Sequence, residues 1–526
     1  MADTQVNRLQ PAQGDFSMTI LLIYPPVAKS CEPPAGIARL AGTLRDHQIT
    51  CLTVDLNLEC ILSQFDLNLN SKDTWSRRAY RKRYKSLRYL RTSRTYRNPD
   101  RHKEAVNNLN RVLSLAAQFS NCDISLGNYS DETCSPLSRR DLILAAEHFD
   151  KNHFYPFFRR RIDQLIDACS PPFIGISFSY LSQALTGFAI LGYLNHFYPE
   201  VTIVVGGSLL TSWMSSPQWN SPFEGLANHL IRGPGEHELL SLMNREPQQR
   251  SGRFDYDDFP FNHYLAPGPI LPYAASDGCY WKRCTFCPDR AEKIGYSQIH
   301  PSSVSGDLSY LINRYQPVLL HFLDNAVSPA LQKHLINHPP GIPWYGFSRF
   351  EKELEDPDFC QALRRSGCIM LKLGLESGSQ NVLDQMHKGI KLDRVSQILS
   401  HLRSAGIATY IYLLFGTPSE TEKEALLTMK FIKQHRSAIT YLNLAIFNMP
   451  VCSPEAAGNF NRFSDDDLSL YCAFEHPHKW NRKKVRNFLQ TRFRKDPQIN
   501  QIILRDPPVF TSNHAPLFLL NSPAET

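Results

Sequence analysis

Apolar residues fall in short continuous runs separated by longer stretches in which they recur every three or four positions. That is the pattern of buried strands alternating with helices packed upon them. In the first half, residues 18–24, 50–56, 173–178 and 201–207 read as strands, with a late strand near Leu230 and a helix over 37–46. In the second half, 270–275, 318–323, 344–349, 369–376, 408–415 and 441–447 read the same way, with a helical stretch at 380–386. Strands alternating with helices predict α/β architecture: a doubly wound, Rossmann-like N-terminal domain followed by a parallel barrel. A polar, aperiodic stretch at 244–253 separates the two, giving expected domains at 18–248 and 249–450 and a helical extension at 451–526.

A long insertion, about residues 60–165, interrupts the first domain and is predicted to be mostly helical. Arg77, Arg78, Arg81, Lys82, Arg83, Lys85, Arg88, Arg91, Arg94, Arg97, Arg101 and Lys103 have only Asp100 as a carboxylate among them. Tyr80, Tyr84, Leu87 and Leu90 follow helical spacing, which predicts one docking face. The cationic face is either simply solvated or recognises an acidic substrate, a phosphorylated carrier or nucleic acid. Aromatics at core spacing argue against a base-stacking platform. In the extension, helices are expected to begin at 465–467 and 479–484, with an extended end after Pro507 and Pro508.

A chain of 526 residues is too long for one ordinary core, and a formal charge of +7 is modest for that size. The thirteen cysteines show no disulfide framework, and neither a secretory segment nor a membrane-length apolar run is visible, so the expected location is the cytoplasm.

The chemistry is concentrated at Cys279, Cys284 and Cys287, in the run SDGCYWKRCTFCP. Clustered thiolates of this spacing can hold an iron–sulfur cluster with one iron left open, whereas a structural zinc site wants a fourth ligand. The alternative is a zinc knuckle or a set of buried thiols. The run follows a predicted strand, so it sits where a barrel carries its active site. Polar residues gather at the other strand ends: Asp324 and Asn325, Arg349, Glu376 to Ser379, and Gly416 to Thr421.

The cysteine run resembles the cluster-binding loop of the radical S-adenosylmethionine (SAM) superfamily, with Phe286 matching the usual aromatic. It departs by having four residues, Tyr280 to Arg283, between the first two cysteines. The segments GLESGS from Gly374 and VLDQMHKG from Val382, then Ala405-Gly406-Ile407, are similar to the SAM-binding half of that superfamily. The resemblance implies a [4Fe–4S] cluster on the three cysteines and SAM held near Phe286, Arg349, Glu376, Ser377, Gly416 and Pro418. From the residues alone, the alternatives are that Glu376 caps a helix, Arg349 pairs with Glu351 and Gly416 serves a turn.

The N-terminal half resembles the cobalamin-binding domain found ahead of the barrel in one class of these proteins. The matching residues are Tyr24, Pro25, Gly36, Ser179, Leu181, Gly206 and Gly207. No Asp-x-His-x-x-Gly occurs, so the resemblance implies a cobalt without a protein histidine below it; the alternative is a Rossmann-like domain that has lost the cofactor. The implied function is cleavage of SAM to a 5′-deoxyadenosyl radical and cobalamin-dependent methylation of an unactivated carbon. Alternatives are a cobalamin-independent or non-methylating radical SAM reaction, such as cyclisation or ring contraction, and a metal-binding redox sensor without turnover. Implied partners are a small-molecule or carrier-bound substrate and a one-electron reductant such as flavodoxin or ferredoxin; nucleic acid is not expected.

Overall fold

A computed structural model describes residues 19–246, 253–456, 461–462, 466–508 and 514–521. The first sheet is wholly parallel, built from β1 (Thr19–Tyr24), β2 (Thr50–Asp55), β3 (Phe173–Ser177), β4 (Thr202–Gly206) and β5 (His229–Leu230) in the order β2-β1-β3-β4-β5. This is a doubly wound arrangement, with ligand space expected beyond the C-terminal strand ends at the switch between β1 and β3. β1 is buried on both faces: Leu21 and Ile23 enter one core, Ile20 and Leu22 the other. That explains its uninterrupted apolar run.

The insertion packs on the first of those cores. Its helices Thr74–Leu90 and Pro99–Ala116 lie against each other, followed by a hairpin and helices Arg139–Glu147 and Tyr155–Cys169. Asp73 caps the first helix through the Trp75 and Ser76 amides and receives Arg111 at 2.6 Å. Leu87 and Leu90 are buried as their spacing predicts, but Tyr84 is 51% exposed. Ser76, Ala79 and Ser86 share the docking face instead, while Arg83 stacks over the Tyr80 and Tyr84 rings at 3.8 and 4.2 Å.

The second sheet carries six parallel strands in chain order: β6 (Ile270–Tyr273), β7 (Leu319–Phe322), β8 (Trp344–Ser348), β9 (Cys368–Glu376), β10 (Ala408–Phe415) and β11 (Tyr441–Ile446). It is a partial (β/α)6 barrel. Leu271, Leu320, Leu371, Ile411 and Leu442 face the surrounding helices, whereas Ile270, Leu319, Tyr345, Met370, Tyr410 and Tyr441 pack together on the inner face. The floor is closed by helix Ala515–Asn521, whose Ala515, Phe518 and Leu519 pack on that inner cluster. Among the described residues beyond Pro508, the chain is therefore helical rather than extended at Ala515–Asn521, because those three apolar residues share one helical face. Asp467 lies in a turn and accepts the Arg139 amide at 2.7 Å, so no helix begins at 466–467; Asp465 lies outside the described residues. The extension also contains a small antiparallel sheet ending in Tyr471–Ala473, and the helix expected from 479–484 is Arg482–Phe488.

The expected boundary at 244–253 lies partly outside the described residues. The two sheets are nevertheless tied together. Arg39 pairs with Glu236 and, at 2.8 Å, with Asp277; Arg45 reaches Asp255 and Asp258, each at 2.6 Å; and Tyr264 donates to the buried Asp55 at 2.7 Å.

Candidate cofactor site

The cysteine loop is held at both ends. After β6, the Ala275 amide and Ser276 hydroxyl donate to Asp324, at the end of β7, at 3.0 and 2.5 Å. Asp324 is 2% exposed, and burial pushes its carboxyl up to about 6. At Gly278 the backbone has φ +70°, and a Cβ would lie 2.2 Å from the Gly295 carbonyl oxygen, so a side chain is excluded there. Beyond this point Cys279, Cys284 and Cys287 line one cavity of about 290 Å³, together with Lys282, Arg283, Arg290, Lys293 and Asp289.

Among the described residues, no three His, Cys, Asp or Glu side chains are arranged to hold a single metal ion. Three cysteines on one cavity, with no fourth Cys or His in its described lining, suit a cluster with one open iron, whereas a structural zinc site wants a fourth ligand. Burial raises the Cys284 thiol, with Lys388 and Arg349 opposing it, and pushes Cys287 up to about 11. Metal binding there would release protons, since the thiolate is the ligand.

The four-residue gap between the first two cysteines is accounted for by Trp281. Its indole packs on Gly389, where φ is +74° and a Cβ would fall 2.1 Å from the ring, and its Nε1 donates to the His387 carbonyl at 3.0 Å. The Arg349 and Arg283 guanidinium carbons lie 4.3 and 5.0 Å from the ring centroid. The Thr285 amide donates to the Met386 carbonyl at 3.1 Å, and Tyr280 donates to Glu351 at 2.9 Å. The extra residue thus lets the loop dock on 386–389.

Arg349, at the end of β8, is the hub of this contact: it bonds Glu351 at 3.0 Å and the Lys388 carbonyl at 2.6 Å, and its Nη1 is 4.0 Å from Cys284 Sγ. Glu376, which ends β9, has φ +66°, and the β9–β10 register slips beside it. A non-glycine residue held in that region marks a constrained position. Its carboxylate takes Lys388 Nζ at 2.7 Å, and that ammonium lies 5.5 Å from the Phe286 ring centroid. Phe286, Arg349 and Glu376 therefore join Cys284 in one network through Lys388, which sequence reasoning missed; the quoted run ending HKG contained the signal.

Ser377, Gly416 and Pro418 lie at neighbouring strand ends outside that network. Ser377 is fully buried and spends its hydroxyl on Thr428 and the Ser379 amide. Gly416 donates to Glu420, which Trp480 of the extension also reaches at 3.1 Å. Pro418 is half-buried in the same turn.

A larger cavity of about 960 Å³ lies between the domains, at the upper end of the usual ligand-site range. Gly36, Gly206 and Gly207 line it, as do Gly233, Asp277 and Gly278. A Cβ on Gly36 or Gly233 would meet nothing within 4 Å, so the backbone itself forms an open cradle. No histidine is among the described lining residues, in keeping with the missing Asp-x-His-x-x-Gly. Tyr24, Pro25, Ser179 and Leu181 are not part of this lining. They belong to a turn organised by Gln183, whose amide donates to the Pro25 carbonyl at 2.7 Å and accepts the Ser179 amide at 2.8 Å. Asp289, Lys293, Ile294 and Gly295 line both cavities.

No protein-family model matches the chain. It is 27% identical over 228 residues to a bacteriochlorophyllide d C-12(1)-methyltransferase of Chlorobaculum tepidum, covering 41% of this chain and 49% of that protein. It is 21% identical over 280 residues to an anaerobic magnesium-protoporphyrin IX monomethyl ester cyclase of Rubrivivax gelatinosus, covering 45% and 49%. The chain thus spans about half the length of these relatives, 49% in each case. Among solved structures, the cobalamin-dependent S-adenosylmethionine radical enzyme OxsB, with aqua-cobalamin bound, aligns at a TM-score of 0.51 and 13% identity, over 82% of this chain and 53% of OxsB. The chain therefore shares the fold of OxsB: a Rossmann-like parallel sheet followed by a partial barrel.

Proposed function

We propose that this protein is a radical SAM enzyme that binds a [4Fe–4S] cluster on Cys279, Cys284 and Cys287, SAM at the barrel mouth and cobalamin between its domains. Its reaction is methylation of an unactivated carbon of a small-molecule or carrier-bound substrate. The observation that carries this reading is the wall of Asp289, Lys293, Ile294 and Gly295 shared by the thiol cavity and the interdomain cavity. Bound in these places, the cluster supplies the electron that splits SAM and the corrinoid supplies a methyl carrier.

The protein's own part is positioning and exclusion of water. Trp281 and Arg349 hold the cysteine loop on 386–389. Glu376, at a strand end with its carboxylate held by Lys388, would be available to hold an amino group of SAM once that pair opens. Gly36, Gly206 and Gly233 let a flat macrocycle lie directly on backbone. An acidic one-electron donor such as flavodoxin or ferredoxin docks over Lys282, Arg283, Arg290 and Lys293. All four are exposed and, among the described residues, none forms an ion pair. All thirteen cysteines are free thiols and no described helix is long and apolar enough to cross a membrane; a reducing cytoplasm suits both.

The test is anaerobic reconstitution with iron, sulfide and hydroxocobalamin, followed by SAM carrying a deuterated methyl group, dithionite and a small-molecule extract. The expected result is retained corrinoid, 5′-deoxyadenosine and a labelled product. Deoxyadenosine without transferred label would favour the cyclisation class; absence of both deoxyadenosine and corrinoid would overturn the proposal.

A further inference from the structure

The inner face of the barrel is open in its upper half. Phe347, Gly374, Tyr412, Leu414 and Asn443 are partly exposed there, whereas the intervening Leu373, Leu413 and Leu442 are buried under the helices. At the bottom of this space lies Lys372 on β9, only 2% exposed. Its ammonium is 3.3 Å from His321 Nε2 and sits 5.0 and 4.9 Å from the Tyr345 and Phe347 ring centroids. His321 stacks on Tyr345 at 4.3 Å and turns Nδ1 to Glu32, at 2.9 and 3.1 Å. Glu32 comes from the loop after β1, as does Lys29, whose charge acts on the same group.

Barrel interiors are normally filled with branched apolar side chains. Here, among the described residues, no carboxylate is within ion-pair distance of Lys372, and Glu32 reaches it only through His321. Burial and Lys372 hold His321 below its usual range despite Glu32, so the ring is mainly neutral. Lys29 and Lys372 then share a single anion, and a buried ammonium without a direct counter-ion is costly.

We propose that Lys372 anchors the acidic group of the substrate, a carboxylate carried on a flat aromatic or conjugated skeleton that lies against Phe347 and Tyr412. The assignment rests on the reading that SAM occupies the mouth directly above. Burial, opposed by Glu32 and reinforced by Lys29, brings the Lys372 ammonium down to about 8; Cys31, His321 and Tyr345 are its other near neighbours. Anion binding should therefore weaken as pH rises through about 8.

The experiment is calorimetric titration of the cluster-loaded protein with benzoate, using benzamide as the uncharged isostere. Benzoate is expected to bind in the millimolar range, as its small size allows, and benzamide at least tenfold more weakly. Lys372→Gln should weaken benzoate at least tenfold, whereas Lys372→Arg, which keeps the charge if the site repacks, should stay within about threefold. Equal binding of benzoate and benzamide, equal binding to wild type and Lys372→Gln, or no benzoate binding overturns the anchor. Cleavage of SAM by dithionite in the same preparation reports separately on the reading of the barrel mouth, so the two failures are distinguishable.

Discussion

Gly389→Ala tests the docking of the cysteine loop with a single methyl group. The new Cβ would lie 2.1 Å from Trp281 Cζ2 and 2.5 Å from Cη2, so the indole must move by more than an ångström. With φ at +74°, the alanine itself adds about 1 kcal/mol of left-handed strain. Moving the ring breaks its hydrogen bond to the His387 carbonyl, about 1 kcal/mol, and disturbs the Arg349 and Arg283 contacts, together about 1 kcal/mol more. The strain stays on residue 389 whether the cysteine loop is docked or open, so the lost contacts, about 2 kcal/mol, set the shift in its docked-to-open ratio, about thirtyfold. The expected outcome is a large loss of iron and sulfide after anaerobic reconstitution, faster proteolysis within 276–290, and a nearly unchanged melting temperature. Adding Trp281→Ala removes the clash, so the double variant should bind no less iron than Trp281→Ala alone. Full cluster content and normal proteolysis in Gly389→Ala would refute the argument.

Lys388→Met leaves the Glu376 carboxylate buried without its partner, and should cost about 3–5 kcal/mol in denaturant unfolding; a change below about 1 kcal/mol would show the pair to be unimportant. Lys282→Glu with Arg290→Glu should leave dithionite-driven SAM cleavage intact, while flavodoxin-driven cleavage falls at least tenfold and loses its salt dependence; equal loss with both reductants would mean a damaged cluster rather than a lost dock. The Asp55 carboxyl, bonded to Tyr264 and the Leu58 amide, is pushed up to about 7 by burial. A raised acid binds its proton more tightly in the folded state, so its contribution is complete below about pH 4 and is lost as pH rises through about 7, up to about 4 kcal/mol. Asp55→Asn should therefore gain stability relative to wild type between those limits, and a pH-independent difference would contradict the assignment.

The strands were legible because parallel sheets buried on both faces write continuous apolar runs, and every expected strand of both sheets is present. The glycines fared better than the polar residues. Gly206 and Gly207, at a strand end, and Gly36, in the first turn of the helix Ala35–Asp46, line the interdomain cavity, where a missing side chain leaves backbone exposed. Tyr24, Pro25, Ser179 and Leu181 sit at the same strand ends but turn toward Gln183, a choice of direction that strand pattern does not encode. Trp281 acquires its role from Gly389, and Lys388 from Glu376 and Phe286; such pairings arise only when the barrel closes. The Lys372, His321 and Glu32 chain joins two strands to a loop of the other domain, and each residue alone read as an ordinary strand or turn position.

The central claim is that two cofactors sit on either side of one thin wall, Asp289 with Lys293 to Gly295. Electron paramagnetic resonance of cob(II)alamin in the reconstituted protein tests it most directly. Reduction of the cluster should broaden or split the cobalt lines by spin–spin coupling, and Cys284→Ala should restore the uncoupled spectrum. Bound cob(II)alamin whose lines stay unchanged when the cluster is reduced would contradict the account.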